Sequence, residues 1–306
     1  QSAVLVLDAR TGADVARWPV GPHPNEMVLS SDGRLFVAEA NANTVSVIDV
    51  AEGRPLERLS ASLYPNSPPG SMPNSLALSP DGELLFVANA NNNNVAVFDV
   101  EDRGRARSLG YIPVGWFPTS VRVSADGRTL LVANGKGAAS APNPRGPYPG
   151  SPAPRNLEEY IGGLFKGTLS VIDLPEEKRR ETQFGAWARA AKACSPLTAD
   201  GAPRGERPAG SPIPAKVGDP SPIRNVIYVV RENRTYDQVL GDLEKGKGEP
   251  RLCLFGEKVT PNAHALAREF VLLDNLYADG EVSADGHEWT MAAYASDFVE
   301  KSWPLS

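Results

Sequence analysis

Two short stretches hold the residue types most suited to chemistry. The first is Arg231-Glu-Asn-Arg-Thr-Tyr-Asp237, in which Glu232 and Asn233 offer a carboxylate and an amide oxygen side by side. The second is Ser283-Ala-Asp-Gly-His-Glu-Trp289, with a hydroxyl at Ser283 and an imidazole four residues later at His287. After it, Met291, Tyr294, Ala295 and Phe298 recur at helical spacing, so Ser283 is expected near the amino end of a helix. A serine there is either a helix cap or a group that meets phosphate, because the first amides of a helix and its dipole attract anions.

The elements expected to position these residues are strands and capped helices. Asn225-Val-Ile-Tyr-Val-Val230 is an unbroken apolar, β-branched run of the kind buried on both faces of an α/β sheet, and Phe270-Val-Leu-Leu-Asp274 reads as a second strand. Thr235 and Gln238 fit a capping box, so a helix starts at Thr235 and leaves Glu232 and Asn233 in the loop at the carboxyl end of the first strand. Open α/β sheets bind their ligands at such ends. Thr260 is a plausible cap, with Pro261 at the first position of a further helix. His264, inside it, reads as structural.

The first half of the chain is organised differently. Three segments repeat, with Ser-x-Asp-Gly turns whose aspartates are Asp32, Asp81 and Asp126, 49 and 45 residues apart. Each repeat reads as an alternating strand, a tight turn, an apolar strand, an Asn-rich turn and a third strand ending in Asp, at the period of a propeller blade. In the third repeat the last strand waits until Gly167-Thr-Leu-Ser-Val-Ile-Asp173, so 135–166 is an insertion rich in Pro, Gly and Ala. Val4-Leu-Val-Leu-Asp8 is expected to be the last strand of an earlier blade. The tract Asn91 to Asn94 has the composition of turns that need left-handed backbone, a simpler account than a metal loop. Residues 176–222 read as a linker, with a short helix over Glu181 to Cys194.

Composition narrows the function. The net charge is −6 in 306 residues, which gives no support to nucleic-acid binding by counterion release. No stretch approaches the roughly 20 apolar residues of a membrane span. Cys194 and Cys253 stand at no familiar spacing, and either a disulfide or two free thiols fits.

The repeats resemble the YVTN family of β-propellers, with Phe36-Val-Ala-Glu39, Phe86-Val-Ala-Asn89 and Leu131-Val-Ala-Asn134 at the signature position. Residues 224–303 resemble the phosphoesterase family of acid phosphatases and phospholipases C, in the alkaline phosphatase superfamily. That likeness rests on Glu232-Asn-Arg-Thr-Tyr-Asp237, Leu273-Asp-Asn275 and Ser283-x-x-x-His-x-Trp289. Together they imply a multidomain chain: propeller blades over 1–175, a linker over 176–222, and the N-terminal part of an α/β alkaline-phosphatase-like domain over 223–306.

The resemblance further implies a hydrolase that cleaves phosphate monoesters or diesters through a phosphoserine intermediate at Ser283. Glu232, Asn233 and Ser283 would hold a divalent ion, with zinc, calcium, magnesium and manganese all open, and His287 would contact phosphate or orient its neighbours. Asp237 is expected in a supporting role, and Asp279 and Asp285 are possible contacts. The sequon Asn233-Arg-Thr235 is set aside, since a buried metal ligand cannot carry a glycan. Phosphate-ester small molecules or phospholipid head groups are the implied substrates, a protein partner of the propeller is conceivable, and the implied location is extracytoplasmic, periplasmic or secreted. Both ends of the chain read as cut, so this segment would supply half of a site that is complete only in a longer parent. A binding or scaffold propeller with a degenerate esterase domain is the alternative.

Overall fold

The structure is a computed structural model that describes residues 2–65, 67–137, 159–195, 206–214, 219–278 and 280–303. The repeats form β-propeller blades. A two-stranded sheet pairs β1 (Ala3–Leu7) with β2 (Asp14–Pro19). One four-stranded blade then runs β3 (Pro24–Leu29), β4 (Arg34–Glu39), β5 (Thr44–Asp49) and β6 (Arg54–Ser60). The next runs β7 (Pro73–Leu78), β8 (Leu84–Asn89), β9 (Asn94–Asp99) and β10 (Arg107–Pro113). The last has β11 (Pro118–Val123), β12 (Thr129–Asn134) and β13 (Thr168–Asp173). Every pairing is antiparallel, and the inner strands β3, β7 and β11 are neighbours.

The repeat grammar has a local cause. In each Ser-x-Asp-Gly turn the serine hydroxyl donates to the aspartate carboxylate and accepts the amide four or five residues on, as with Ser124 to Asp126 at 2.6 Å and Thr129 to Ser124 at 2.9 Å. Gly33, Gly82 and Gly127 take φ of +80°, +78° and +72°, values that a β-carbon would strain. At the opposite face the Asn-rich turns place Asn43 and Asn93 in left-handed backbone at φ of 55° and 51°. Asn is among the few residues other than Gly that adopt it readily, which accounts for these turns without an ion.

The core lies between the blades. Phe36, Val45, Val47, Leu85, Val87 and Phe98 fill one interface, and Phe86, Val95, Val97, Ile112, Val121 and Leu130 the next. Three-strand blades were expected; β6 and β10 add a fourth, outer strand to two of them. Beside β13 there is none among the described residues. Instead α2 (Glu177–Ala193) follows β13 and packs on β10, burying Phe184. It covers the short helix expected over 181–194, within the stretch read as linker. A single turn, α1 (Ile161–Leu164), is described within the insertion, of which 138–158 lie outside the described residues.

The second half differs from expectation. Asn225–Val230 and Phe270–Asp274 form no strand, and Val226, Ile227, Val229 and Val271 are 70–91% exposed. A strand of a parallel sheet is held by neighbours on both sides and helices on both faces, and the described residues bring neither to these runs. The helices do form: α3 (Tyr236–Leu240), α4 (Pro261–Glu269), α5 (Ser283–Ala292) and α6 (Asp297–Ser302). An alkaline-phosphatase-like sheet is therefore not present among the described residues. Both Cys194 and Cys253 are free thiols.

Candidate functional site

Helix α3 opens with the expected capping box, Thr235 accepting from the Gln238 amide and Gln238 reaching back to the Thr235 amide. That fixes the chain just after Glu232 and Asn233. Asp237, in the first turn, accepts the Glu249 amide at 2.8 Å and so serves the local fold. Ser283 is the first residue of α5, and its Oγ lies 3.4 Å from Asn233 Oδ1, across 50 residues of sequence.

One turn along α5, His287 Nδ1 lies 2.8 Å from the Ser283 carbonyl oxygen. A carbonyl only accepts, so Nδ1 carries a proton and Nε2 turns to Glu232, whose Oε2 is 3.6 Å away. Glu232, Asn233, Ser283 and His287 thus meet in one place, with His287 and Glu232 about half exposed. Arg231 and Arg234 flank Glu232 and Asn233 in sequence, and these four help line an open hollow of about 460 Å³ with Val239, Phe255 and Thr260. Arg234 stacks over Phe255 at 4.8 Å. Three oxygen donors of hard character, a carboxylate, an amide carbonyl and a hydroxyl, suit a divalent cation, and two arginines beside them suit an anionic ligand.

The turn that presents Ser283 is built by Asp285, which is fully buried. Its carboxylate accepts the amides of Glu281, Val282 and Gly286 at 2.9–3.0 Å. Asp285 therefore shapes the turn rather than contacting a ligand. Asp279 lies outside the described residues. Beneath the turn, Glu281, Asp285 and Glu300 bring carboxylate oxygens within 4.8 Å of one another. Burial pushes Glu281 up to about 7, although Lys136 opposes the shift, and burial also raises Glu300. The ammonium of Lys136 lies 2.6 Å from Glu281 and 3.7 Å from Glu300, so this acidic group has its own cation. Sequence reasoning missed Lys136, Glu281 and Glu300; a contact between residues 136 and 281 leaves no local pattern.

His264 has the structural role expected of it. It is fully buried, with Nδ1 2.9 Å from the Thr260 carbonyl and Nε2 2.9 Å from Asp242. Thr260 stands at the cap position of α4, but its hydroxyl donates to the Phe255 carbonyl at 2.7 Å.

The class that fold and repeats define is the β-propeller. A family model described as "Lactonase, 7-bladed beta-propeller" matches residues 23–141, which hold β3 to β12 and not the Ser283 region. No curated protein matches. Among solved structures, hydrazine synthase from Kuenenia stuttgartiensis is 27% identical over 37% of this chain and 30% of its own, with a TM-score of 0.33. A functionally unknown protein from Desulfotomaculum acetoxidans is 19% identical over 44% and 42%, at 0.38. A Bacteroides fragilis protein provisionally named as a 6-phosphogluconolactonase is 24% identical over 42% and 36%, at 0.35. The matched region thus spans 30–42% of the length of these three chains. Among the described residues no helix is long and apolar enough to cross a membrane.

Proposed function

We propose that this protein hydrolyses phosphate esters with Ser283 as nucleophile, assisted by a divalent cation at Glu232, Asn233 and Ser283, and that it works outside the cytoplasm. The supporting observation is the approach of Ser283 Oγ to Asn233 Oδ1, with His287 and Glu232 beside them. These residues come from two sequence motifs that resemble one phosphoesterase family.

A bound zinc, calcium, magnesium or manganese ion would lower the serine hydroxyl's pKa and neutralise phosphate oxygens. Glu232 and Asn233 would hold it. Ser283 Oγ attacks phosphorus as the ester oxygen departs with a proton, leaving phosphoserine that water then hydrolyses. The amino end of α5 and the two arginines orient the anionic phosphate group. His287, its Nδ1 proton committed to the Ser283 carbonyl, keeps Nε2 toward Glu232 and the reacting groups. Small phosphate esters or phospholipid head groups are the substrate class.

The family match over 23–141 favours a second reading, lactone hydrolysis by the propeller. Glu26 and Arg122, paired at 2.9 Å between the inner strands β3 and β11, are charged groups available to it. One experiment separates the readings. The longest form of the protein that its gene encodes is assayed on p-nitrophenyl phosphate, its bis ester and a sugar δ-lactone, with and without chelator, beside Ser283→Ala. Chelator-sensitive phosphoester turnover that falls roughly a thousandfold or more in the variant is expected. Lactone turnover indifferent to Ser283 moves the activity to the blades, and no turnover at all favours a binding propeller.

A further inference from the structure

The strand directions place the turns before β3, β7 and β11 and the Asn-rich turns on one face of the propeller. That face repeats a Gly-x-x-Pro loop: Gly21-Pro-His-Pro24, Gly70-Ser-Met-Pro73 and Gly115-Trp-Phe-Pro118. In each the third residue is left-handed, with φ of 53° at His23, 54° at Met72 and 56° at Phe117. Helices α5 and α6 sit against this face. The Asp297 amide donates to Asn41 Oδ1 at 3.0 Å, His23 lies 3.8 Å from the Asp297 carboxylate, and Tyr294 lies against Gly70.

Lys136, just past the end of β12, is the charged centre of that contact. Its amide donates to the Trp116 carbonyl at 3.2 Å, its ammonium stands 4.4 Å from the centre of the Phe117 ring, and it is shared by Glu281 and Glu300. Glu300 is nearly fully buried and also accepts from the Trp289 indole at 3.2 Å, which ties α5 to α6. Glu281 stands two residues before Ser283 and gives its amide to Asp285. The path from propeller to serine is thus Lys136, Glu281, Asp285 and the first turn of α5.

We infer that Lys136 is a positioning residue for Ser283: the propeller face, through one ammonium shared by the buried Glu300 and the partly buried Glu281, holds the turn that presents the hydroxyl. The role of Ser283 as nucleophile rests on the function proposed above; the docking does not. A positive charge is required because removing it leaves Glu300 buried and Glu281 partly buried, and neither finds another cation among the described residues. Arginine can carry the same charge, whereas methionine keeps only the length.

Hydrogen exchange and phosphoester kinetics test the inference on wild type, Lys136→Met, Lys136→Arg and Asn41→Ala. In Lys136→Met, protection of the amides over 281–303 falls about thirtyfold or more, from the cost of leaving the buried Glu300 carboxylate without a cation, while amides of β8 and β9 keep theirs. The kcat falls about tenfold or more, KM changes less than about threefold, and Lys136→Arg restores both. Asn41→Ala, which strands no charge, gives a smaller loss of protection and guards against a Lys136→Met that fails to fold. Unchanged protection in Lys136→Met and Asn41→Ala overturns the docking, and loss that Lys136→Arg does not restore overturns the role of charge. If the wild type hydrolyses no phosphoester, the proposed function fails, and protection alone decides whether Lys136 docks the helix.

Discussion

Replacing Phe184 by alanine tests how α2 completes the propeller. Phe184 is 1% exposed and sits with Phe86, Val97, Ile112 and Leu130 in the core between two blades, its ring 5.8 Å from that of Trp187. Truncating a buried phenylalanine costs about 3–5 kcal/mol, the sum of lost transfer energy and the cavity left behind. Trp187 is only half-buried and can settle into part of that space, which places the expectation near the lower end, about 3 kcal/mol. With a urea m-value of about 3 kcal/mol/M, the midpoint moves down by about 1 M. Far-ultraviolet circular dichroism in a urea titration reads the shift, and an unchanged slope confirms that stability alone has moved. Gly110→Ala attacks the same contact from the strand side. Its β-carbon would lie 3.0 Å from the Ala188 β-carbon and 3.2 Å from the Phe184 carbonyl, at a φ of +127°, so the midpoint falls there too. A shift below about 0.3 M in Phe184→Ala, worth about 1 kcal/mol, refutes the argument that α2 seals the blade.

Three further outcomes follow from particular contacts. Asn43 accepts the amides of Gly70 and Ser71 at 2.9 and 2.7 Å and donates to the Pro68 carbonyl at 2.7 Å, so Asn43→Ala should cost about 2–3 kcal/mol in thermal unfolding, against under 1 for an exposed asparagine. Arg34 donates to the Val100 carbonyl at 2.5 Å and pairs with Asp32 at 2.7 Å while nearly fully buried; Arg34→Met should cost about 1–3 kcal/mol by the same measurement, since Asp32 is exposed enough to regain water. For His264, burial lowers the pKa but Asp242 and the Thr260 carbonyl outweigh it, so the folded value lies above the usual 6.5. Its stabilising contribution is whole below 6.5 and disappears as pH rises through the folded value. Asp242 is held down to about 2 by the Glu257 amide and then by His264, so its contribution is present above 3.8 and lost as pH falls toward 2. An NMR titration of the His264 ring should give a midpoint above 6.5 that drops in Asp242→Asn; a midpoint at or below 6.5 in the wild type refutes the pairing.

The propeller was legible because each of its signals is local and repeated. Gly33, Gly82 and Gly127 recur for the same backbone reason, and the alternation from Val45 to Val47 and from Val95 to Val97 marks side chains that enter the core between blades. The outer strands β6 and β10 escaped because their apolar residues are diluted by Arg54, Glu57, Arg58 and Arg107, as suits strands with one wet side. At Asn225–Val230 the opposite error arose. Apolar content says that a segment needs cover, yet the partner that supplies it is a non-local fact, and a ladder cannot be read from one strand.

The candidate site divides along the same line. Thr235 and Gln238 are three residues apart and cap as their spacing requires, and Ser283 starts a helix as expected, although that helix ends at Ala292 and of the downstream pattern holds only Met291, with Tyr294 and Ala295 in the break and Phe298 on α6. Local rules place Asn233 on one loop and Ser283 on one helix end, but they do not bring the two together. That step falls to tertiary contacts. Trp289 reaches Glu300, Glu300 and Glu281 share Lys136, and Lys136 is held against Phe117 on a propeller loop whose left-handed residue recurs in each blade. The regular repeat therefore builds the platform on which the irregular segment sits. A change at a propeller loop more than 100 residues from Ser283 in sequence should register in the helix that carries it before it registers in the blades, because the blades keep their own ladders and cores whether or not the helix is docked.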